Sequence, residues 1–441
     1  MSGIENAVLS ESVGASHSED IGKQAVPPQI LTLPQNFFWT LAGNVTYMGC
    51  QWGMLVALAR LGNPEMLGRF ALAFALTAPI FQFSGLQLRG LQATDARGEY
   101  SFGEYLGLRW LTVVLSGVAA AGICLAGGYR GEVLLVTILV AAAKGFEAIS
   151  DVYYGRMQLK ERMDKISRSM IIKGGISLAG LALGVGLTGS LVYGVALLAI
   201  SWLAVLMFYD IPQGRALTAA DSLPICFRTE RLWSLARLGL PMGVVMLLLS
   251  LEANVPRYFV EWKLGEGALG IFAALAALMV AGNAVVNALG QSALPRLAVY
   301  AASERRQDFR KLAGRLVGVG IGLGLATMGV AWAAGRPLLS LVYGAEYAAH
   351  NETFLWLMGA TAVSYCSSFL GVALTALRIF QLQMFLQIGS VALCAILSVM
   401  LVGRYGLPGA GIALLGTMAF DLFGRAAILA IASWRSRPAW D

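Results

Sequence analysis

The sequence predicts an all-α polytopic membrane protein with twelve transmembrane helices. Of the 441 residues, 57% are hydrophobic and 13% are charged, and the mean hydropathy is +0.69. Soluble domains carry about 25% charged residues and could not bury so much apolar sequence. A membrane helix needs about 20 mostly apolar residues. The chain divides into twelve such segments, with the approximate limits 36–59, 66–88, 105–127, 132–155, 167–187, 189–209, 234–259, 268–290, 312–334, 353–377, 380–402 and 408–432.

The basic residues between these segments predict their orientation. Lys and Arg are concentrated after even-numbered segments, for example from Arg156 to Arg168 and from Arg296 to Lys311. Because basic loops favour the cytoplasmic side and the number of segments is even, we expect both termini in the cytoplasm. The net charge of +7 then follows from topology, and we expect no nucleic-acid binding. Residues 1–30 are polar and are predicted to form a disordered cytoplasmic tail.

An internal repeat predicts two bundles of six helices. The stretch from Leu61 to Ala73 recurs, with one deletion, from Leu264 to Leu275. Since six is even, both halves have the same topology and should be related by an axis along the membrane normal. The predicted units are an N-terminal bundle at 31–210, a cytoplasmic linker at 211–231 and a C-terminal bundle at 232–441. Such a pair suits alternating-access transport, and a duplicated scaffold without a pathway is the alternative.

The first candidate site lies in the fourth segment, where Lys144, Glu147 and Asp151 interrupt an apolar run. At about 100° per residue, the three side chains share one face of a helix. Ionisable groups in a membrane helix are costly unless they face a wet cavity or a partner. Lys144 can pair with Glu147 at i+3. Because one lysine cannot neutralise two carboxylates, we expect Glu147 or Asp151 to respond to a proton gradient or a cation; the alternative is a structural salt bridge.

The second copy of the repeat is neutral at the corresponding positions. Aligning the two halves sets the three charged residues of the fourth segment against Ala362, Tyr365 and Phe369. The predicted fold therefore does not require the charges, which favours a functional role for them.

Further polar residues inside the segments are candidates for a transport path. They are Arg89, Arg109, Glu252, Arg257, Asn283, Asn287, Asp421 and Arg425. Arg89 could meet a substrate or anchor its helix end, and Asp421 and Arg425 can satisfy each other at i,i+4. The two asparagines suit sugars or helix packing. With two histidines and no cysteines at ligand spacing, we expect no metal and no other cofactor.

Several stretches resemble the polysaccharide flippases of the multidrug/oligosaccharidyl-lipid/polysaccharide superfamily. These are Leu61–Ala73, its second copy, Leu86–Asp95 and Gln158–Asp164, and the resemblance runs from about Asn36 to Trp434. It implies a V-shaped pair of six-helix bundles like that of the multidrug and toxin extrusion proteins. It also implies a flippase for polyprenyl-pyrophosphate-linked oligosaccharide in the bacterial inner membrane, serving O-antigen, capsule or exopolysaccharide synthesis. The implied partners are this substrate, membrane lipids and the polysaccharide polymerase machinery.

Two alternatives stay open. A multidrug and toxin extrusion exporter would favour acidic residues for cationic drugs, whereas here acids and cations are mixed. A membrane polysaccharide polymerase or lipid-sugar transferase usually carries its catalytic residues on a large outer loop, and the longest predicted outer connection runs only from about Arg336 to Glu352. No ATP-binding P-loop is present. We therefore expect a transporter, not an enzyme, driven by an ion gradient, the membrane potential or consumption of its product.

Overall fold

The computed structural model describes residues 31–95, 97–217 and 224–434, and the regular structure in these ranges is helical. The predicted tail at 1–30, part of the predicted linker and residues 435–441 lie outside them. The first half contains α1 Leu33–Leu61, α2 Pro64–Ser84, α3 Leu88–Thr94, α4 Phe102–Ala126, α5 Glu132–Leu159, α6 Met163–Thr188, α7 Leu191–Val205, a π-helical turn at Leu206–Asp210 and α8 Ile211–Arg215. The second half contains α9 Thr229–Leu264, α10 Glu266–Ala277, α11 Met279–Ala302, α12 Arg306–Val342, α13 Ala345–Ala348, α14 Asn351–Ala376, α15 Phe380–Tyr405 and α16 Leu407–Trp434.

Ten helical segments in the described ranges are long and apolar enough to cross a membrane. The chain is therefore a multi-pass α-helical membrane protein, as predicted. The segments predicted at 36–59 and 268–290 are not among the ten. α1 is long enough but less apolar, and the other segment is divided at Leu278 into a short α10 and a more polar α11. The count of twelve and the exact limits of the two bundles stay predictions.

A break between α2 and α3 shapes the interior of the first half. The predicted segment 66–88 is helical only to Ser84, because Leu86 and Gln87 adopt φ angles of 49° and 50°. Such left-handed conformations are uncommon for residues other than glycine. The break places the carbonyl of Gly85 where it accepts hydrogen bonds from the Leu88 amide at 3.1 Å and from Arg109 Nη2 at 3.2 Å. The Gly85 carbonyl, at the end of α2, thus connects this helix with both α3 and α4.

Two glycines mark the place where the halves approach each other. Gly68 on α2 and Gly270 on α10 occupy equivalent positions in the two repeated stretches. A Cβ on Gly68 would lie 1.8 Å from the carbonyl oxygen of Glu266, and one on Gly270 would lie 1.9 Å from that of Pro64. Only glycine permits this approach of two backbones. The contact supports a two-fold axis between the halves, although the repeat itself stays a prediction.

Polar contacts join the two halves at the same end, which is the predicted outer side. Arg69 pairs with Glu132 of the first half at 2.5 Å and with Glu266 of the second half at 2.6 Å. Burial and a hydrogen bond to Glu261 raise the pKa of Tyr129, so its phenol remains a donor. We call the contacts between halves the outer latch; they are Arg69 to Glu266, Tyr129 to Glu261, Trp52 to Tyr343, and Arg60 to the carbonyls of Ser340, Leu341 and Val342.

We expect Arg69→Gln to open the outer latch with little loss of stability. The side chains of Arg69 and Glu266 are 29% and 26% exposed, and ion pairs of this kind contribute about 0–1 kcal/mol each. A change of about 1 kcal/mol is enough to alter the ratio of two conformations about fivefold. Spin labels at the exposed positions Leu187 on α6 and Trp332 on α12, in a variant without its five cysteines, should report a longer distance.

The matched control for this experiment is Arg305→Gln. It removes an ion pair to Asp308 of 2.8 Å that lies within one helix turn and far from the latch. The control should leave the label distances unchanged. Identical distance distributions for Arg69→Gln and the parent protein would contradict the role of the latch.

Candidate functional site

A cavity of about 360 Å³ lies in the first half. α1 to α6 all contribute to its wall, and the break after α2 forms part of it. Five of the predicted site residues line it: Lys144, Glu147, Asp151, Arg89 and Arg109. The cavity wall also includes Tyr47, Tyr154 and Lys173. Four basic and two acidic side chains thus surround the space, which leaves a surplus of positive charge.

The α5 residues share one face, as their spacing predicts. Lys144 Nζ donates to Glu147 Oε2 at 2.8 Å, and Tyr47 Oη donates to Glu147 Oε1 at 2.6 Å. The rings of Phe74 and Trp202 lie 5.3 and 5.5 Å from Lys144 Nζ. The lysine therefore carries its charge in a largely apolar and aromatic setting, where an ion interacts more strongly than it does in water.

Asp151 is paired with arginines from two other helices. Arg89 Nη1 lies 3.4 Å from Asp151 Oδ1, and Arg109 Nη2 lies 3.9 Å from Oδ2. The predicted shortage of cations around the two carboxylates is therefore wrong, while a proton- or cation-sensing role for Glu147 or Asp151 stays a prediction. α3 and α4 bring these arginines to α5 from a distant part of the chain, so each carboxylate has its own cation.

Arg109 is a deeply buried cation of the cavity wall, and one of its donors lacks a partner among the residues that the structure describes. Its side chain is 3% exposed, and its Nε has no hydrogen-bond partner among the residues that the structure describes. An unsatisfied buried donor is costly, and this Nε is too buried to meet an anion in the cavity unless the side chain moves. The guanidinium fork suits two oxygens of a carboxylate or phosphate.

Lys173 and its partners form a buried network that we did not predict. Lys173 Nζ donates to Ser150 Oγ at 2.9 Å, to Tyr154 Oη at 3.1 Å and to Asp210 Oδ2 at 3.3 Å. Lys173 and Asp210 are 2% and 0% exposed. All three ammonium donors are used, so Lys173 holds Tyr154 in position. A ligand in the cavity would therefore be bound by Arg89, Arg109 and Lys144, and not by Lys173.

The sequence did contain a signal for this network. Lys173 lies inside the predicted segment 167–187, and Asp210 directly follows the segment 189–209. A lysine at such depth needs a partner. The π-helical turn at Leu206–Asp210 places Asp210 next to Lys173 on α6. No sequence pattern predicts this turn. Turns of this kind are frequent at functional sites.

Two of the predicted ion-pair candidates lie in the interior of the second half, outside the cavity. Arg425 Nη2 is 2.9 Å from Asp421 Oδ2, and Ser367 Oγ donates to the same oxygen at 2.6 Å. The two charged groups therefore satisfy each other, as their i,i+4 spacing predicts. Glu252 accepts a hydrogen bond of 2.5 Å from Gln387 Nε2 on α15.

The remaining predicted residues also lie outside the cavity. Asn283 and Asn287 are on α11, where Asn287 is exposed and Asn283 is half-buried. Arg257 is on α9, with Nη1 donating to Asn254 Oδ1 at 2.8 Å. The cavity therefore brings together the first-half candidates and none of those from the second half.

The neutral residues that the predicted repeat aligns with the α5 charges lie in a core. Tyr365 and Phe369 are 2% and 1% exposed and belong to one hydrophobic cluster, while Ala362 packs closely on Gly324 of α12. At the positions that the predicted repeat sets against the α5 charges, the second half therefore has packed side chains.

Comparison with known proteins agrees with this fold. The model of the family described as "Polysaccharide biosynthesis protein" matches residues 33–301. The chain is 27% identical to the Capsular polysaccharide biosynthesis protein CapF of Staphylococcus aureus over 384 residues, which is 86% of this chain and 94% of that protein.

Two solved structures share the fold. The Lipid II flippase MurJ, in an inward closed conformation, matches with a TM-score of 0.70 and 10% identity over 90% of this chain and 89% of that chain. An inward-facing multidrug resistance MATE family transporter of the MOP superfamily matches with a TM-score of 0.62 and 15% identity over 93% of this chain and 98% of that chain. The predicted all-α, MATE-like fold class is confirmed.

Proposed function

Because this chain belongs to the polysaccharide biosynthesis protein family, we propose that it flips polyprenyl-pyrophosphate-linked oligosaccharide across the bacterial inner membrane by alternating access. The observation that carries the proposal is the surplus of positive charge in an intramembrane cavity. Both termini would lie in the cytoplasm. The flipped product would be used by polysaccharide polymerase machinery in the synthesis of O-antigen, capsule or exopolysaccharide.

The chemistry of the substrate fits the cavity residues. A diphosphate cannot enter the hydrocarbon layer without compensating charge, because transferring ions from water is costly. Arg89 and Arg109 offer forked donors and Lys144 a point charge for its oxygens. Gln82 and Gln87 in the same wall can exchange hydrogen bonds with sugar hydroxyls. The polyprenyl chain would stay in the bilayer.

The arrangement of the carboxylates favours transport over catalysis. Glu147 and Asp151 are each held in ion pairs, so neither is free to serve as the general acid or base that a sugar-transferring enzyme needs. The alternative of a cationic-drug exporter is less well supported, since a cavity with surplus positive charge repels cations.

The test is a flipping assay with purified protein in proteoliposomes. The probe is a fluorescent polyprenyl-diphosphate-linked trisaccharide, and a membrane-impermeant quencher reports which leaflet contains it. We expect the probe to change leaflets faster than in protein-free vesicles. Equal rates with and without protein, together with uptake of a cationic dye such as ethidium, would exclude the flippase and favour the exporter.

A further inference from the structure

Arg257 is an intramembrane cation that has no counter-ion among the residues that the structure describes. It lies inside α9, and among the described residues no carboxylate forms an ion pair with it. Nη1 donates to Asn254 Oδ1 at 2.8 Å, while the buried Nε has no hydrogen-bond partner in the described ranges. A cation without a counter-ion inside a membrane helix costs free energy unless it faces a substrate or ion pathway. No other residue in the described part of the fold explains its charge.

The contacts of α9 show which way this part of the helix faces. Tyr258 donates to the carbonyl of Ala75 on α2, and Glu261 accepts from Tyr129. At about 100° per residue, Arg257 lies within about 100° of Tyr258 and about 40° of Glu261. Glu252 is about 140° away from Arg257 by the same count and contacts α15. Arg257 therefore belongs to the side of α9 that meets the first half.

The same contacts place Arg257 between the cavity and the outer latch. Ala75 precedes the cavity-lining Ala78 by three residues, which is about 4.5 Å along α2 towards the outer end. Glu261, a residue of the latch, follows Arg257 by one helical turn. An anion that leaves the cavity as the latch opens would thus pass the level of Arg257.

We propose that Arg257 is a second anion site, contributed by the second half, which receives the substrate's diphosphate from the first-half cavity as the outer latch opens. The inference rests on the proposed function and assigns the residue to the step after initial binding. A guanidinium with free donors suits a diphosphate, since it can engage two oxygens at once. The hand-over also explains why the second half carries this cation although its core lacks counterparts of Lys144, Glu147 and Asp151.

The test compares binding with flipping in Arg257→Gln. Binding of undecaprenyl diphosphate to the purified protein should change less than about twofold, because the first-half cavity is intact, whereas flipping of the fluorescent probe should fall by at least about tenfold. Arg257→Lys should retain at least half of the flipping rate because it retains the charge. Asn254→Ala removes the hydrogen bond to Arg257 together with the Asn254 Nδ2 contacts to Ser250, keeps the charge of Arg257, and should flip the probe as the parent does.

Three results would overturn the inference. They are normal flipping by Arg257→Gln, a loss of undecaprenyl diphosphate binding in it as large as in Arg109→Gln, or a defect in Asn254→Ala equal to that of Arg257→Gln. The last would assign Arg257 to helix stability. If the parent protein neither binds the lipid nor flips the probe, the proposed function fails and this inference fails with it. If the parent flips the probe and Arg257→Gln flips it at the same rate, only this inference is refuted.

Discussion

Arg109→Gln is expected to slow flipping by about ten- to hundredfold while the protein folds normally. Hydrogen bonds to charged groups contribute about 1.5–3 kcal/mol, and each 1.4 kcal/mol is about tenfold. Arg109 lines the cavity and is 3% exposed, and in the proposed function its guanidinium holds the diphosphate of the substrate. Asp151 keeps its ion pair with Arg89 at 3.4 Å, and the substitution therefore leaves no carboxylate unpaired.

The measurement is the initial flipping rate at equal amounts of reconstituted protein, beside the affinity for undecaprenyl diphosphate. Arg404→Gln is the control, because Arg404 is an exposed arginine near the end of α15, and it should change neither quantity. The flipping rate of Arg109→Lys should lie between those of the parent and Arg109→Gln, since lysine keeps the charge and lacks the forked guanidinium. Full activity of Arg109→Gln would show that the cavity does not carry the diphosphate.

The features that the sequence predicted correctly depend on local spacing. Lys144 and Glu147 form their ion pair, and Asp421 and Arg425 form theirs, because residues three or four apart on a helix are neighbours wherever the helix lies. The fold class follows equally from local hydropathy, since only helices bring twenty apolar residues across a bilayer with their backbone satisfied. These inferences need no knowledge of which helices touch.

The features that the sequence did not predict depend on contacts between distant segments. Arg109 was a candidate, but nothing in its neighbourhood connects it with Asp151, 42 positions later in the sequence. The left-handed residues Leu86 and Gln87, neither a glycine, gave no turn signal inside an apolar segment. Without that break and the helix packing, the sequence offers the two carboxylates on α5 only one nearby cation, Lys144.

Loss of Lys173 is expected to give the largest change in stability. Lys173 and Asp210 are almost fully buried, and removing one partner of a buried ion pair costs about 3–5 kcal/mol because the other charge is left without compensation. Lys173→Met should therefore lower the unfolding temperature in detergent and the yield of monodisperse protein. Arg305→Gln, which breaks a pair that is 58% and 39% exposed, should cost less than about 1 kcal/mol.

The double variant Lys173→Met/Asp210→Asn separates the charge from the rest of the network. The introduced amide is the same size as the carboxylate of Asp210, and its oxygen can still accept the hydrogen bond from Ser169 Oγ, which is 2.5 Å long in the parent. Most of the lost stability should return, because no buried charge is left unpaired. If the double variant is as unstable as Lys173→Met, the ion pair is not the cause of the loss.

Flipping by the stable double variant then tests the positioning role of Lys173. Tyr154 loses the 3.1 Å hydrogen bond from Lys173 and keeps its contact with Ser169 Oγ at 2.6 Å. Its ring, 5.6 Å from the guanidinium of Arg89, should become less fixed, and flipping should fall about two- to tenfold for the loss of one such hydrogen bond. A flipping rate equal to that of the parent would limit the network to stability.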